Sequence, residues 1–334
     1  MNSPREVKKK NGSDTKPILL KSKIHAFLFS LTILMMIGTS CFHPAVAQSP
    51  FLLKGVAIGF PGPDASSVCK ILPPAKIALV RTDVVFSNNF RKVYDSCKQR
   101  GLSIVGIIDY GTLQWKNFTL DDWRNVVTKA QATYPEIHVW EIWNEATLKK
   151  FQYSYLDGTP QRYFDLLVSA YSVLKAVDTK AIILGFGGLQ LYSSQDFLFA
   201  QGVFSLGGGS YMDAISIHAY PYLLNNGSSW DYYQALWSQQ LSRYKDFGKP
   251  IWITETGLRS SQLTESDQSR YLQASYNFFL GQNAAAYFWY SYKDYKNYSS
   301  EDIVKFGLIR LDGTPKPSFD SYIAAQELIV MRRI

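Results

Sequence analysis

The stretch Ile137-His138-Val139-Trp140-Glu141-Ile142-Trp143-Asn144-Glu145-Ala146 decides the reading of this chain. A β-branched and aromatic run reads as a strand, and Asn144-Glu145 closes it with a carboxylate. Pro250-Ile251-Trp252-Ile253-Thr254-Glu255-Thr256-Gly257 has the same form. One strand-end glutamate means little. Two of them are what hydrolysis of a glycosidic bond with retention requires. One carboxyl protonates the leaving oxygen and the other attacks the anomeric carbon.

Outward from these two stretches, short apolar runs alternate with longer segments of helical period. Expected strands are Gly55–Gly59, Ile77–Arg81, Ser103–Asp109, Ile137–Trp143, Ala181–Gly185, Ala214–His218, Pro250–Thr254 and Ala285–Trp289. Between them, Phe90, Val93, Tyr94 and Cys97 follow helical spacing, with Gly101 as a stop. Phe164, Leu167, Val168, Tyr171 and Leu174 repeat that spacing, as do Tyr233, Leu236, Trp237, Leu241 and Tyr244. Thr119, Asp121 and Asp122 form a helix start before Trp123, and a last helix is expected after Pro317. Eight such units imply an α/β fold, a single (β/α)8 barrel. A doubly wound open sheet is the alternative, but no glycine-rich phosphate loop follows the first strand, and Gly207-Gly208-Gly209 reads as a plain loop.

In such barrels the chemistry sits at the C-terminal strand ends. The expected strands deliver Arg81, Asp109, Asn144, Glu145, His218, Tyr220, Glu255 and Trp289 to one rim. Trp143-Asn144-Glu145 resembles the acid/base motif of glycoside hydrolase clan A, and Thr254-Glu255-Thr256-Gly257 its nucleophile motif. His218-Ala219-Tyr220 resembles the sixth-strand motif, and Trp289 the aromatic ending the eighth strand. The resemblance spans the chain after residue 47 and is nearest to the family 39 and family 5 enzymes. Ala146 departs from it, since many relatives carry proline there.

The resemblance implies a retaining glycoside hydrolase acting on β-linked oligo- or polysaccharides. Glu145 is the expected general acid and Glu255 the nucleophile, kept ionised by Arg81 and Tyr220. Asn144 is expected to offer its amide to the sugar 2-hydroxyl. Trp289 offers a flat apolar face to the sugar. Asp109, beside Tyr110, is a candidate substrate ligand or a structural carboxylate. Arg81 could equally serve a structural ion pair, Asn144 a turn, and His218 a satisfied core position. Trp115, Trp143, Tyr222, Tyr290 and Tyr292 are candidates for further subsites. Glu141 lies below the rim and reads as support. The competing function is a non-catalytic carbohydrate-binding barrel at the cell surface, which would not need Glu145 and Glu255 together.

The N-terminus sets the expected location. Seven Lys and Arg in residues 1–25 precede an apolar stretch from Ala26, and Ala45-Val46-Ala47 supplies a small-x-small cleavage pattern. Residues 1–47 therefore read as a signal peptide and 48–334 as the catalytic domain of a secreted or periplasmic protein, with no stable membrane insertion after cleavage. An uncleaved membrane anchor over residues 26–42 is the alternative. Removing the leader reduces the formal charge of +8 to about +3, which gives no case for nucleic acid. His138 and His218 have no ligand spacing, so no metal and no cofactor is expected. Cys69 and Cys97 could be bridged or could be two buried thiols. Asn117, Asn226 and Asn297 lie in glycosylation sequons, and the sequence leaves the oligomeric state open.

Overall fold

Eight parallel strands pair in sequence order, and the first closes on the eighth. They are β1 (Leu53–Gly59), β2 (Ala78–Asp83), β3 (Ser103–Ile108), β4 (Val139–Ile142), β5 (Ile182–Gln190), β6 (Ala214–His218), β7 (Ile251–Thr256) and β8 (Ala286–Tyr290). The computed structural model describes residues 52–71, 78–114, 117–148, 156–221, 229–261, 263–296 and 302–331. The leader, Trp115, Tyr222, Asn226 and Asn297 lie outside the described residues.

Among the described residues, eight α-helices surround the barrel: α1 (Ser67–Ile71), α2 (Asn88–Gln99), α3 (Leu120–Thr133), α4 (Pro160–Val177), α5 (Ser194–Ser205), α6 (Trp230–Lys245), α7 (Glu265–Gly281) and α8 (Pro317–Met331). Local chemistry starts most of them. Thr119 and Asp122 form a reciprocal capping box on α3, and Thr264 with Asp267 does the same on α7. Thr159 caps α4, whose first residue is Pro160. At the end of α2, Gly101 adopts φ +66° and its N–H donates to Lys98 O, the left-handed stop its sequence position implies.

The interior has two layers. The lower one is apolar, built from Leu79, Val105, Val139, Leu184, Ala214, Trp252, Ala286 and Phe288. Gly55 is obligatory there, because a Cβ would lie 2.3 Å from the Phe288 ring. Two residues further along β2, β4, β6 and β7, the same inward face carries Arg81, Glu141, Ser216 and Thr254, all buried. A polar layer thus sits directly beneath the C-terminal mouth. The outward faces of the strands pack on the helices in a second, larger core.

The structure shifts several expected boundaries. β5 was expected to stop at Gly185 but continues to Gln190, with a register break against β6 between Gly185 and Leu189. α5 carries no sequence periodicity because its apolar residues are spread around it: Phe199 is buried while Leu198 is exposed. In α4 the buried stripe is Tyr163, Leu166, Leu167, Ala170 and Leu174, rotated from the expected one, which leaves Phe164, Val168 and Tyr171 half-buried. Gly208–Tyr211 is a short 3-10 helix rather than a plain loop. Cys69 of α1 and Cys97 of α2 form a disulfide, with Cα atoms 5.0 Å apart. No helix among the described residues is long and apolar enough to cross a membrane.

Candidate active site

Arg81 is the hub of the mouth, wholly buried on the inward face of β2. Its Nε donates to Glu141 Oε2 at 2.5 Å and its Nη1 to Glu255 Oε1 at 2.5 Å. Its Nη2 donates to Asn144 Oδ1 at 3.2 Å and lies 3.4 Å from His218 Nε2. Burial disfavours the guanidinium charge, but Glu141 and Glu255 outweigh it and hold the group well above its ordinary pKa. Glu141 is the anchor of this arrangement, accepting from Ser216 Oγ at 2.5 Å on its other oxygen. Ser216 Oγ in turn lies 2.6 Å from Thr254 Oγ1.

Glu255 receives a second donor, the Tyr220 hydroxyl, at 2.6 Å to Oε2. Glu145 faces it from the other side. Its Oε1 accepts from Gln190 Nε2 at 2.8 Å. His218 Nδ1 lies 3.2 Å from Glu145 Oε1 and 3.6 Å from Glu255 Oε2, so one imidazole nitrogen touches both carboxyls. Each glutamate keeps 9% of its surface exposed, enough for a ligand in the mouth to reach it.

The backbone around Glu145 is strained. Trp143 and Glu145 have φ of +72° and +48°, and Phe186 on β5 has +80°. The Glu145 N–H donates to Gly187 O at 2.7 Å. A Cβ on Gly187 would fall 2.1 Å from Trp143 O, and one on Gly188 2.1 Å from His218 Nε2. The two glycines let β5 bulge against the Glu145 turn and leave room for His218. None of Gln190, Gly187 or Gly188 was expected from the sequence. The signal was present in Phe186-Gly187-Gly188-Leu189-Gln190, but a glycine pair after an apolar run reads as the end of a strand.

Four expectations need correction. Trp289 offers no face to a ligand. It is fully buried, points outward onto Tyr271 of α7, and donates its indole N–H to Phe306 O at 3.1 Å. Strand parity decides this: Ala286 and Phe288 point into the barrel, so the next inward residue is Tyr290. Tyr290 lines a cavity of about 280 Å³ at the ends of β1 and β8 with Phe60 and Tyr295. Asp109 is likewise wholly buried, so it does not present itself to the mouth. Trp143 and Tyr292 are also buried and pack as core rather than as subsites. Trp143 sits among Tyr110, Phe118 and Trp123.

Residues 191–322, which run from the end of β5 into α8, match the family model described as glycosyl hydrolase catalytic core. A family 39 glycoside hydrolase from Bacteroides cellulosilyticus WH2 superposes with a TM-score of 0.61 at 21% identity. The family 39 superposition covers 82% of this chain and 63% of that one, so the chain spans under two thirds of that relative's length. Xylanase 10B from Thermotoga maritima gives a TM-score of 0.60 at 13% identity, covering 85% of this chain and 97% of that one. A monomeric β-xylosidase from Caulobacter crescentus CB15 gives 0.57 at 17% identity, with 81% and 67% covered. At these identities the likeness shows the (β/α)8 barrel fold. No curated protein matches by sequence. Among the described residues no group of His, Cys, Asp and Glu could hold a metal ion.

Proposed function

We propose that the chain is a retaining glycosidase that cleaves β-linked oligo- or polysaccharides by double displacement. The observation that carries this reading is the sharing of His218 Nδ1. At 3.2 Å from Glu145 Oε1 and 3.6 Å from Glu255 Oε2, it holds these oxygens no more than about 6.8 Å apart. That ceiling accommodates the roughly 5–5.5 Å separation of a nucleophile and an acid, and leaves little room for the water of an inverting enzyme.

Glu255, fixed by Arg81 and Tyr220, attacks the anomeric carbon as Glu145 gives its proton to the departing oxygen. The glycosyl ester so formed is hydrolysed by a water whose proton Glu145 takes back, which frees Glu255. Structural relatives named as xylanases, a xylosidase, a galactanase and a mannosidase support a β-linked polysaccharide or oligosaccharide as the substrate class. The basic, apolar and Ala-Val-Ala segments within residues 1–47 support export of residues 48–334 to the periplasm or outside the cell.

The test uses aryl β-glycosides. Glu255→Ala abolishes turnover of all of them. Glu145→Ala spares those with good leaving groups, and azide restores its turnover with release of a β-glycosyl azide. An α-glycosyl azide, or an active Glu255→Ala enzyme, would overturn the reading.

A further inference from the structure

At the C-terminal ends of β2 and β3 the structure holds a second pair of carboxyls that the mechanism above does not use. Asp83 ends β2 two residues beyond Arg81, on the same inward face. The β2–β3 register pairs Asp83 with Ile107, which brings Asp109, just past the end of β3, beside it. Both are removed from water: Asp109 is fully buried and Asp83 is 7% exposed.

Asp109 Oδ1 accepts from the N–H of Gly111 at 2.7 Å and of Thr112 at 3.4 Å. Its Oδ2 is buried and receives no donor among the described residues. The Asp83 carboxyl stands across the β2–β3 seam from it, and its charge bears on Asp109 more than any other group's does. Two buried carboxyl groups can face each other at close range only if one of them carries a proton. Burial and then the Asp83 charge hold Asp109 well above the ordinary carboxylate range, so the proton belongs on Asp109 Oδ2. Asp83 is also raised by burial, opposed first by Asp109 and then by the Arg81 charge. The other groups that bear electrostatically on the pair are Glu255 of β7, Tyr110 after β3 and Tyr290 of β8.

We propose that Asp83 is a specificity-determining residue whose carboxylate accepts a hydroxyl of the sugar being cleaved, and that Asp109 is the positioning residue, a protonated acid that locks it by donating one hydrogen bond. A carboxylate aimed at a sugar hydroxyl makes a charge-assisted bond, and a fixed one discriminates hydroxyl position and configuration. Asp109 stands beside it with its other oxygen tied to the backbone, which leaves Oδ2 as the donor that fixes Asp83. This inference rests on the glycosidase reading for its ligand, whereas the shared proton does not.

The experiment compares Asp83→Ala, Asp109→Asn and Asp109→Ala with the parent enzyme. Substrates are the 4-nitrophenyl β-glycosides of glucose, galactose, mannose and xylose, with deoxy analogues of the one turned over fastest. In the parent, loss of one particular hydroxyl lowers kcat/KM by about tenfold to hundredfold. In Asp83→Ala the same loss costs less than about threefold, because its partner is already gone. Asp109→Asn keeps a donor in place and keeps the discrimination, whereas Asp109→Ala loses it. Infrared difference spectra at neutral pH show a protonated-carboxyl band in the parent that Asp109→Asn lacks. Equal deoxy penalties in the parent and Asp83→Ala overturn the role of Asp83. An Asp109→Asn enzyme as impaired as Asp109→Ala, or no such band, overturns that of Asp109. If no glycoside is cleaved, the glycosidase reading fails, and the same deoxy comparison made as sugar binding decides Asp83, with absence of binding counting against it.

Discussion

Gln190 donates from its Nε2 to Oε1 of Glu145 at 2.8 Å, so a residue of β5 orients the carboxyl that β4 delivers. The consequence depends on the leaving group. Gln190→Ala should lower kcat about tenfold on glycosides with poor leaving groups, which need a well-aimed proton, and leave dinitrophenyl glycosides nearly unaffected. A plot of log kcat against leaving-group pKa checks this: the variant's slope steepens. An equal loss across the series would mean that Gln190 serves folding alone.

Arg81 cannot be replaced by another cation. Its fork meets Glu141, Glu255 and Asn144 at once, and an ammonium reaches one of these in a given geometry. Arg81→Lys should reduce kcat by roughly a hundredfold or more. Because Glu141 is fully buried and loses its paired guanidinium, stability should fall by about 3 kcal/mol in urea titration.

Gly188 has φ +96°, and the space its Cβ would need is filled by the His218 ring. Gly188→Ala should destabilise by more than about 1 kcal/mol and displace His218 from the two carboxyls. Thermal unfolding together with kcat tests both effects. The exposed Gly313, also left-handed at φ +93° but with open space around it, is the control, since its replacement should cost stability without touching kcat.

Trp289 should behave as a core residue. Trp289→Phe loses the indole hydrogen bond to Phe306 O and part of the contact with α7, at a cost of about 1–2 kcal/mol. KM should stay within about twofold of the parent. Replacing Tyr290, on the inward face, should instead change KM.

The Asp109 proton makes stability depend on pH in a defined direction. The folded protein retains a proton that the unfolded chain releases near pH 4, so this group's contribution falls as pH rises above about 4, until the raised folded pKa is passed. Asp122, Asp267 and Asp312, held low by hydrogen bonds, act in the opposite sense but equally in parent and variant. Asp109→Asn should therefore gain in Tm relative to the parent between pH 4.5 and 7.5. A constant difference across that range would place no proton on Asp109.

The eight alternating units, the helix starts at Thr119 and at Pro317, and the strand ends that carry Glu145 and Glu255 were legible in the amino-acid sequence. Each of these is written in local pattern: apolar period, capping oxygen, and a carboxylate closing a β-branched run. It also singled out Arg81, Asn144, His218 and Tyr220, which the barrel gathers around the two glutamates. Which way strand-end side chains face was settled by the three-dimensional fold. A bulge in β5 carries the strand on to Gln190, and parity on β8 turns Trp289 outward and Tyr290 in. It also decided that Asp83 and Asp109 come to the same side of the barrel, because that placement depends on the register between two strands and not on either strand alone. A one-residue change of register or strand length reverses a side chain's face, and no property of the isolated segment records it.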